Sequence, residues 1–519
     1  MTRYLLTGTC LVILVWGVYC QTRQFEFVEF DDPQLVSENV FVRQGLTLAG
    51  VRWAFFSAWR ENVFFYPLSL VSHMVDVTGF GLNAGRHHLT SVALHAAVAI
   101  SLFTLLVQLT GAFWRPALAA AFFAVHPLGV DSVAWVAERS NLLCGLLVVN
   151  SLSAFVRYRN IHETKWYVLS IALFLLALLA KPTAVMLPVI LWLVRLPGCK
   201  VSGKSQPEPS GFRNVLELIP FFILSGLRLM AVLAAEQGAS PIVSANVVTV
   251  TTLAANALVS VTAYLVDLFY PFRLSVYYPF PAHIPLWQPL LSGLLLLIVS
   301  IAAFIYRRRR PMSWAGWLWF LIFLMPSLGV IRSGPWPARA DHYVYISLMG
   351  LMTALVWMLP AQRIAGSPKR RIEAGVSAAI LLIYFATSAF IHAGHYRDSV
   401  TLFSRVLALD ENNFLACIEL GNAYRKQGRM DLAEIFFRKA IAIKPDSAGA
   451  HNNLGLVLAA EEDWTGAERH FKTALALSPR FSMAHNNLIN LYLKQGRPPG
   501  IPADRGGIAD DIPEKKQIK

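Results

Sequence analysis

Residues 25–39, FEFVEFDDPQLVSEN, place two neighbouring carboxylates, Asp31 and Asp32, shortly after the first apolar run. An adjacent acidic pair repels itself. It is either a solvated turn or helix cap, or a site where one carboxylate accepts a hydroxyl proton while its neighbour raises the pair's proton affinity. Residues 126–140, HPLGVDSVAWVAERS, gather His126, Asp131, Glu138 and Arg139 around Trp135. Residues 331–342, IRSGPWPARADH, add Arg339, Asp341 and His342, with Tyr343 next. Lys181 stands alone between two short apolar runs, beside the helix-breaking Pro182. Cations at membrane level are expensive and are usually paired or functional. A phosphate-headed lipid would need such groups; the alternative for each is a snorkelling or salt-bridged charge. His88 and His95 share a helix face with Ser91 between them, either lining a polar cavity or packing as buried polar groups.

The surrounding composition says what must hold these residues. The chain has 519 residues, 55% apolar, 12% aromatic and only 15% charged, with a mean hydropathy of +0.50. That is a polytopic membrane protein. The net charge of +14 sits in short clusters between apolar runs, which fits positive-inside topology and not nucleic-acid binding. The cysteines Cys10, Cys20, Cys144, Cys199 and Cys417 are scattered without metal-type spacing, so neither a disulfide framework nor a zinc site is expected. Residues 1–21 read as a signal anchor, with a cleaved signal peptide as the alternative.

Apolar runs fall near residues 4–20, 88–110, 116–128, 141–157, 166–180, 182–195, 214–234, 247–270, 285–306, 313–331, 343–360 and 374–393. Cationic connectors at Arg115, Arg157 to Lys165, Arg195 to Arg213, Arg307 to Arg310 and Arg363 to Arg371 should face the cytoplasm. Parity between the third and fourth connectors requires one run not to cross. Residues 247–270, diluted by Asn256, Asp267 and several Thr and Ser residues, are expected to be interfacial or re-entrant. This gives about eleven crossings over residues 1–393, with the N-terminus inside. The first external loop, 21–87, carries the acidic pair, and its stretch Pro67 to Val77 presents Leu68, Val71, Met74 and Val75 to the bilayer.

Beyond residue 393 the composition turns soluble. Leu420, Gly421, Tyr424, Ala433, Phe437, Ala440 and Pro445 recur 34 residues later as Leu454, Gly455, Leu458, Ala467, Phe471, Ala474 and Pro479. That is the tetratricopeptide (TPR) pattern. A half-repeat precedes (Phe403, Val406) and another follows (His485, Leu488, Tyr492), so an α-solenoid spans 394–496; residues 497–519 read as a disordered tail. The parity puts the solenoid on the external face. Its groove holds peptide or protein, or else serves as a packing platform or dimer contact.

Several strings in this order carry a resemblance: FDDP at 30–33, YPLSLVSHMVD at 66–76, GLNAGRHHLTSVALHA at 81–96, FAVHPLGVDSVAWVAER at 123–139, AKPTAVMLP at 180–188, LFYPFRLSVYYP at 268–279 and ARADHYVYIS at 338–347. From residue 25 to about 496 the chain resembles the bacterial TPR-bearing GT-C glycosyltransferases related to the eukaryotic transmembrane and TPR-containing O-mannosyltransferases. The resemblance implies an all-α fold, a GT-C-type membrane helix bundle followed by the solenoid. It also implies an inverting transferase that moves a sugar, mannose or another hexose, from a polyprenyl-phosphate carrier to hydroxyls of exported proteins. Asp31 is then the base and Asp32 its partner. Arg139, Lys181, Arg339 and His342 would bind the donor phosphate, and His126, Asp131 and Glu138 would be second-loop polar groups. The family commonly has Glu at 131, Lys-Asp at 140–141, Arg at 342 and Pro at 347, where this chain has Asp131, Ser140, Asn141, His342 and Ser347. No cofactor is firmly implied, and metal dependence is left open.

The implied partners are membrane lipid, the lipid-linked sugar and an exported acceptor held by the TPR groove, with no nucleic acid. The implied place is a bacterial inner membrane with the site outside, or an endoplasmic reticulum membrane in a eukaryote. Two other function classes stay open: a non-catalytic TPR scaffold, and an O-antigen ligase or polymerase. The early acidic pair argues against the latter, and the lack of an evident inverted repeat argues against a transporter.

Overall fold

The computed structural model describes residues 2–58, 66–193, 216–238, 249–281, 283–328 and 337–497. The connector from Arg195 to Arg213 and the tail beyond residue 497 lie outside the described residues. Among the described residues the structure is all-α, and its one β feature is an isolated antiparallel bridge between Tyr278 and Arg339.

A helix stands at each apolar run. Six are long and apolar enough to cross a membrane: Thr2–Gln24, Ala84–Thr110, Val136–Ile161, Val250–Asp267, Trp287–Arg308 and Pro368–Gly394. A bent pair, Trp114–Val125 with Pro127–Ala134, adds a seventh if its 61° break lies within one span. Length and composition therefore do not reproduce the eleven crossings expected. The helices Thr164–Ala180, Pro311–Leu324 and Tyr345–Met358 have only 17, 14 and 14 residues, short of the ~20 a perpendicular span needs.

The segment expected to be re-entrant is one continuous helix, Val250–Asp267. Its polar residues form an inward stripe instead of diluting the span. Asn256 Nδ2 and Ser260 Oγ donate to the Ala338 carbonyl at 2.9 and 3.1 Å, and Tyr264 Oη donates to the Ala340 carbonyl at 2.7 Å.

Chain contacts divide the protein into two compact units, Met1–Glu411 and Asn412–Lys519. In the first, Trp287–Ile305 and Pro368–Gly394 carry outward rows such as Leu290, Leu291, Leu294 and Ile298, or Ile372, Val376, Ile380 and Ile383. Contiguous apolar surface on this scale belongs in lipid, not water. Inside the bundle small residues let backbones meet. A Cβ on Gly316 would lie 2.4 Å from the Gly350 carbonyl oxygen, so Pro311–Leu324 and Tyr345–Met358 pack nearly backbone to backbone. Arg139–Ile161 and Thr164–Ala180 are tied by reciprocal bonds, in which Ser151 Oγ donates to the Ser170 carbonyl at 2.7 Å and Ser170 Oγ to the Ser151 carbonyl at 2.8 Å.

Of the residues expected to face the bilayer from Pro67–Phe80, Met74 packs inside the protein. The helix also buries Leu70, His73 and Asp76 and leaves Val75 outward. Helix Ser399–Leu409, which carries Phe403 and Val406 of the leading half-repeat, belongs to the first unit.

The second unit stacks the helix pairs Phe414–Lys426 with Met430–Ile443 and Ala448–Ala460 with Trp464–Leu477, followed by Ser482–Lys494. Phe437 lies on Gly421 and Phe471 on Gly455, each ring so close that a Cβ would collide. This is why the 34-residue period pairs glycine with an aromatic.

Candidate active site

The two acids diverge in the structure. Asp32 is fully buried. Its Oδ2 accepts the Val28 N–H and its Oδ1 the Ala137 N–H, both at 2.8 Å. The side chain therefore clamps the first loop to the second. Burial pushes its carboxyl up to about 7, with the two amide donors pulling the other way.

Asp31 is half-buried, and among the described residues no hydrogen bond reaches its carboxylate. Its proton affinity is raised to about 6, chiefly by burial and then by the charge of Glu138, while His342 and Lys181 oppose the rise. Those three residues are its electrostatic surroundings.

They form a connected set. Lys181 caps Thr164–Ala180 at the break before Pro182, and its Nζ donates to Glu138 Oε2 at 2.8 Å. Glu138 Oε1 lies 3.5 Å from His342 Nε2. The other side of the imidazole is fixed: the His342 backbone N–H and Nδ1–H donate to Asp131 Oδ2 at 2.9 and 2.8 Å. Tyr396 Oη donates to Asp131 Oδ1 at 2.9 Å. Phe30, beside Asp31, stacks on Trp135 at 5.4 Å between centroids, and Trp135 meets the His342 ring edge-on at 5.8 Å. A small cavity beside Lys181 is lined by Asn141, Thr183, Ser327 and Tyr343. One half-buried carboxylate thus sits in the field of an ammonium, an oriented imidazole and a paired carboxylate. Such a set can take a proton from a hydroxyl and hold an anion.

Arg139 is not part of it, contrary to the sequence expectation. The guanidinium is fully buried and has a different set of partners from its neighbour Glu138. It pairs with Asp76 at 2.6 Å and donates to the His87 carbonyl at 2.8 Å, to Ser91 Oγ at 3.4 Å and to both oxygens of Ser72 at 3.3–3.4 Å. Its Nε, Nη1 and Nη2 are thus all engaged within the core.

Arg339 stands in a separate cluster. It is ion-paired with Asp267 and lies 3.9 Å over the Tyr278 ring. Asp341, fully buried, accepts the Tyr278 hydroxyl at 3.1 Å and the Ser275 N–H at 3.2 Å.

His126 is a packing residue: Nε2–H donates to the Leu268 carbonyl at 3.0 Å and Nδ1 accepts the Leu128 N–H at 3.2 Å. His88 and His95 share a fully buried face and are hydrogen-bonded within the core. His88 Nε2 bonds the Glu26 carbonyl at 3.2 Å; His95 bonds Tyr345 Oη at 2.8 Å and the Ala124 carbonyl at 3.1 Å. Among the described residues no three His, Cys, Asp or Glu side chains converge as a metal site would require.

Sequence reasoning missed Asp76, Asn141 as a partner of Glu138, and Tyr396. The string at 66–76 ended on Asp76, and an acid closing an otherwise apolar helix face called for a cation nearby. For Tyr396 there was no local signal.

Fold and site together define an all-helical membrane protein with an acid-and-cation site on its connecting loops, followed in the chain by tetratricopeptide repeats. The tetratricopeptide repeat family matches residues 388–448 and 452–500. Beyond the repeats the chain is similar to proteins named protein O-mannosyl-transferases, one of them over most of its length. It is 22% identical to Protein O-mannosyl-transferase TMTC3 of Mus musculus, covering 86% of this chain and 52% of that protein. It is 26% identical to TMTC4 of Homo sapiens, over 33% of this chain and 27% of the relative, and 26% identical to Tmtc1 of Drosophila melanogaster, over 33% and 20%. The chain thus spans about half or less of the length of these curated relatives. The crystal structure of the APC/C hetero-tetramer Cut9-Hcn1 aligns over 83% of this chain and 84% of that one, at 15% identity and a TM-score of 0.20, too low to argue a fold.

Proposed function

We propose that the protein is an integral-membrane inverting glycosyltransferase that moves a hexose, mannose by the names of its relatives, from a polyprenyl-phosphate carrier to hydroxyls of a polypeptide. The observation that carries this reading is the split within the acidic pair: Asp32 is consumed as a clamp, whereas Asp31 has no hydrogen bond among the described residues and feels the charges of Lys181 and His342.

The acceptor oxygen attacks the anomeric carbon from the face opposite the phosphate. The bond from that carbon to the phosphate oxygen breaks, and its electron pair leaves with the phosphate. The hydroxyl proton passes to Asp31. Phosphate is a good leaving group, so one base and nearby positive charge suffice without a second acid. Lys181, facing a cavity beside Glu138, and His342, oriented by Asp131, are the groups available to the departing anion. Arg139 has no role in this scheme, because its guanidinium is buried and engaged in the core.

The site and the repeats face the outside of a bacterial inner membrane in this proposal, or the lumen of the endoplasmic reticulum in a eukaryote, and the repeats hold the acceptor. A reporter fused after residue 395 tests the side: activity confined to the cytoplasm overturns it. The chemistry is tested with purified full-length protein and a panel of polyprenyl-phosphate sugars. Transfer that needs the carrier lipid and disappears in Asp31→Asn supports the reading, and acceptor binding with no transfer from any carrier favours the scaffold.

A further inference from the structure

A cavity of about 420 Å³ opens in the first unit, walled by Asp267, Tyr277, Tyr278, Arg339, Val406 and Leu409. That volume lies in the range of ligand-binding clefts. None of its walls belongs to the Asp31 cluster, yet two short paths join them. Arg339 is three residues from His342, at most ~10 Å of extended chain. Helix Ser399–Leu409 runs from the acidic loop to the cavity. At its start Ser399 Oγ accepts the Glu29 N–H at 2.8 Å, and Phe403 meets Phe30 at 5.9 Å. One to two turns later Val406 and Leu409 form the cavity wall, ~5–9 Å further along at 1.5 Å per residue.

We infer that this cavity is the acceptor subsite and takes the side chain and backbone of an extended polypeptide segment whose hydroxyl-bearing residue lies about three positions away, over Asp31. The inference rests on the glycosyltransferase reading and adds where the acceptor is held. Three observations favour a peptide. The lining mixes apolar surface (Val406, Leu409) with the Tyr277 and Tyr278 rings, which suits an amphipathic side chain. An anionic lipid headgroup fits poorly, because Arg339 is already neutralised by Asp267 and the Asp410 carboxylate also lines the space. One wall is a helix inside the tetratricopeptide match at 388–448, a family whose concave faces hold peptide.

The test uses the full-length protein in nanodiscs with p-benzoylphenylalanine installed at position 277. The probe is a blocked alanine peptide carrying one phenylalanine and, three residues away, one threonine. Illumination is expected to cross-link the peptide, and excess unlabelled peptide should compete. Leu409→Trp, which fills the cavity, should abolish the cross-link and raise the KM for peptide by at least about tenfold while leaving the donor KM unchanged. Ala263→Trp, at another lining position, serves if Leu409→Trp misfolds.

A cross-link to lipid in place of peptide, or a change in donor KM instead of peptide KM, overturns the inference. Transfer that proceeds with no peptide cross-link at 277 overturns the subsite and leaves the glycosyltransferase reading intact. Peptide cross-linking with no turnover of any carrier-linked sugar overturns that reading and leaves a peptide site.

Discussion

Glu138 and Arg139 are neighbours in the chain, and each forms a short ion pair across the bundle, but the two pairs have opposite fates. Glu138 reaches Lys181 at 2.8 Å in a partly buried setting beside a small cavity, with His342 and Asp31 nearby. Arg139 reaches Asp76 at 2.6 Å in the buried core, with all three guanidinium nitrogens engaged there. The same divergence separates Asp31 from Asp32. In both places one residue is spent fixing the two loops against each other, and its neighbour is thereby held out toward the space where a substrate would sit. A charged residue beside a candidate catalytic group is thus as much its scaffold as its partner.

The sharpest way to break this contrast is to unpair the sealed side. Arg139→Ala leaves Asp76 buried without its cation, which should cost about 3–5 kcal/mol of stability. It should show as a large drop in thermal unfolding temperature or as loss of folded protein. The double variant Asp76→Leu with Arg139→Met should recover much of it, because no buried charge is then left alone. A folded, normally stable Arg139→Ala protein that lost only donor affinity would return Arg139 to the phosphate role.

Next comes the acidic pair. Asp31→Asn should cut turnover by about 10²–10⁴ with unfolding unchanged, as expected for a lost general base. Asp32→Asn should do the reverse. Its amide nitrogen would face one of two N–H donors, costing about 1–3 kcal/mol, while protein that stays folded keeps its turnover. If Asp32→Asn kills turnover in stable protein and Asp31→Asn does not, the two roles must be exchanged.

A smaller effect sharpens the same comparison. Asp31 must be ionised to accept a proton, and its carboxyl is raised to about 6, so kcat/KM should rise with pH through about 6. Glu138 contributes to that rise by like charge. Glu138→Gln should therefore move the acid limb to lower pH, whereas Arg139 variants that remain folded should leave it in place. A limb unmoved in Glu138→Gln would place its origin on another group.

The repeats were legible in the sequence because their packing is local: Gly421 meets Phe437 and Gly455 meets Phe471 within one repeat, so the constraint repeats with the chain. The positions of the membrane helices were legible for a similar reason. Their number of crossings was not, since apolar content alone does not separate a 14-residue buried helix from a span, nor a polar stripe such as Asn256, Ser260 and Tyr264 from a diluted segment. In the site, Asp31, Asp131, Glu138, Lys181 and His342 could be named because each was a charged or titratable residue in an unusual place. What could not be read was direction: nothing local says that at the start of Arg139–Ile161 residue 138 faces the loops and residue 139 the core. Partners far away in sequence were invisible, among them Tyr396, 265 residues from Asp131.

Tyr396 gives the last and smallest prediction. Its hydroxyl donates to Asp131 Oδ1, and Asp131 Oδ2 in turn holds both the backbone N–H and the Nδ1–H of His342. Tyr396 touches no substrate in this scheme, so it is a positioning residue whose effect must pass through the imidazole. Removing one neutral hydrogen bond costs about 0.5–1.5 kcal/mol. Tyr396→Phe should therefore lower turnover between about twofold and about tenfold, with ring packing against His392 preserved. A purely structural loss would lower the unfolding temperature and leave the kinetics of the surviving protein unchanged. A positioning loss would lower kcat with donor and acceptor KM nearly constant, and would add little to a protein already carrying His342→Ala, because the group it orients is then gone. Full additivity of Tyr396→Phe with His342→Ala would break the chain from Tyr396 through Asp131 to His342 and leave the Asp131 carboxylate as a loop clamp like Asp32.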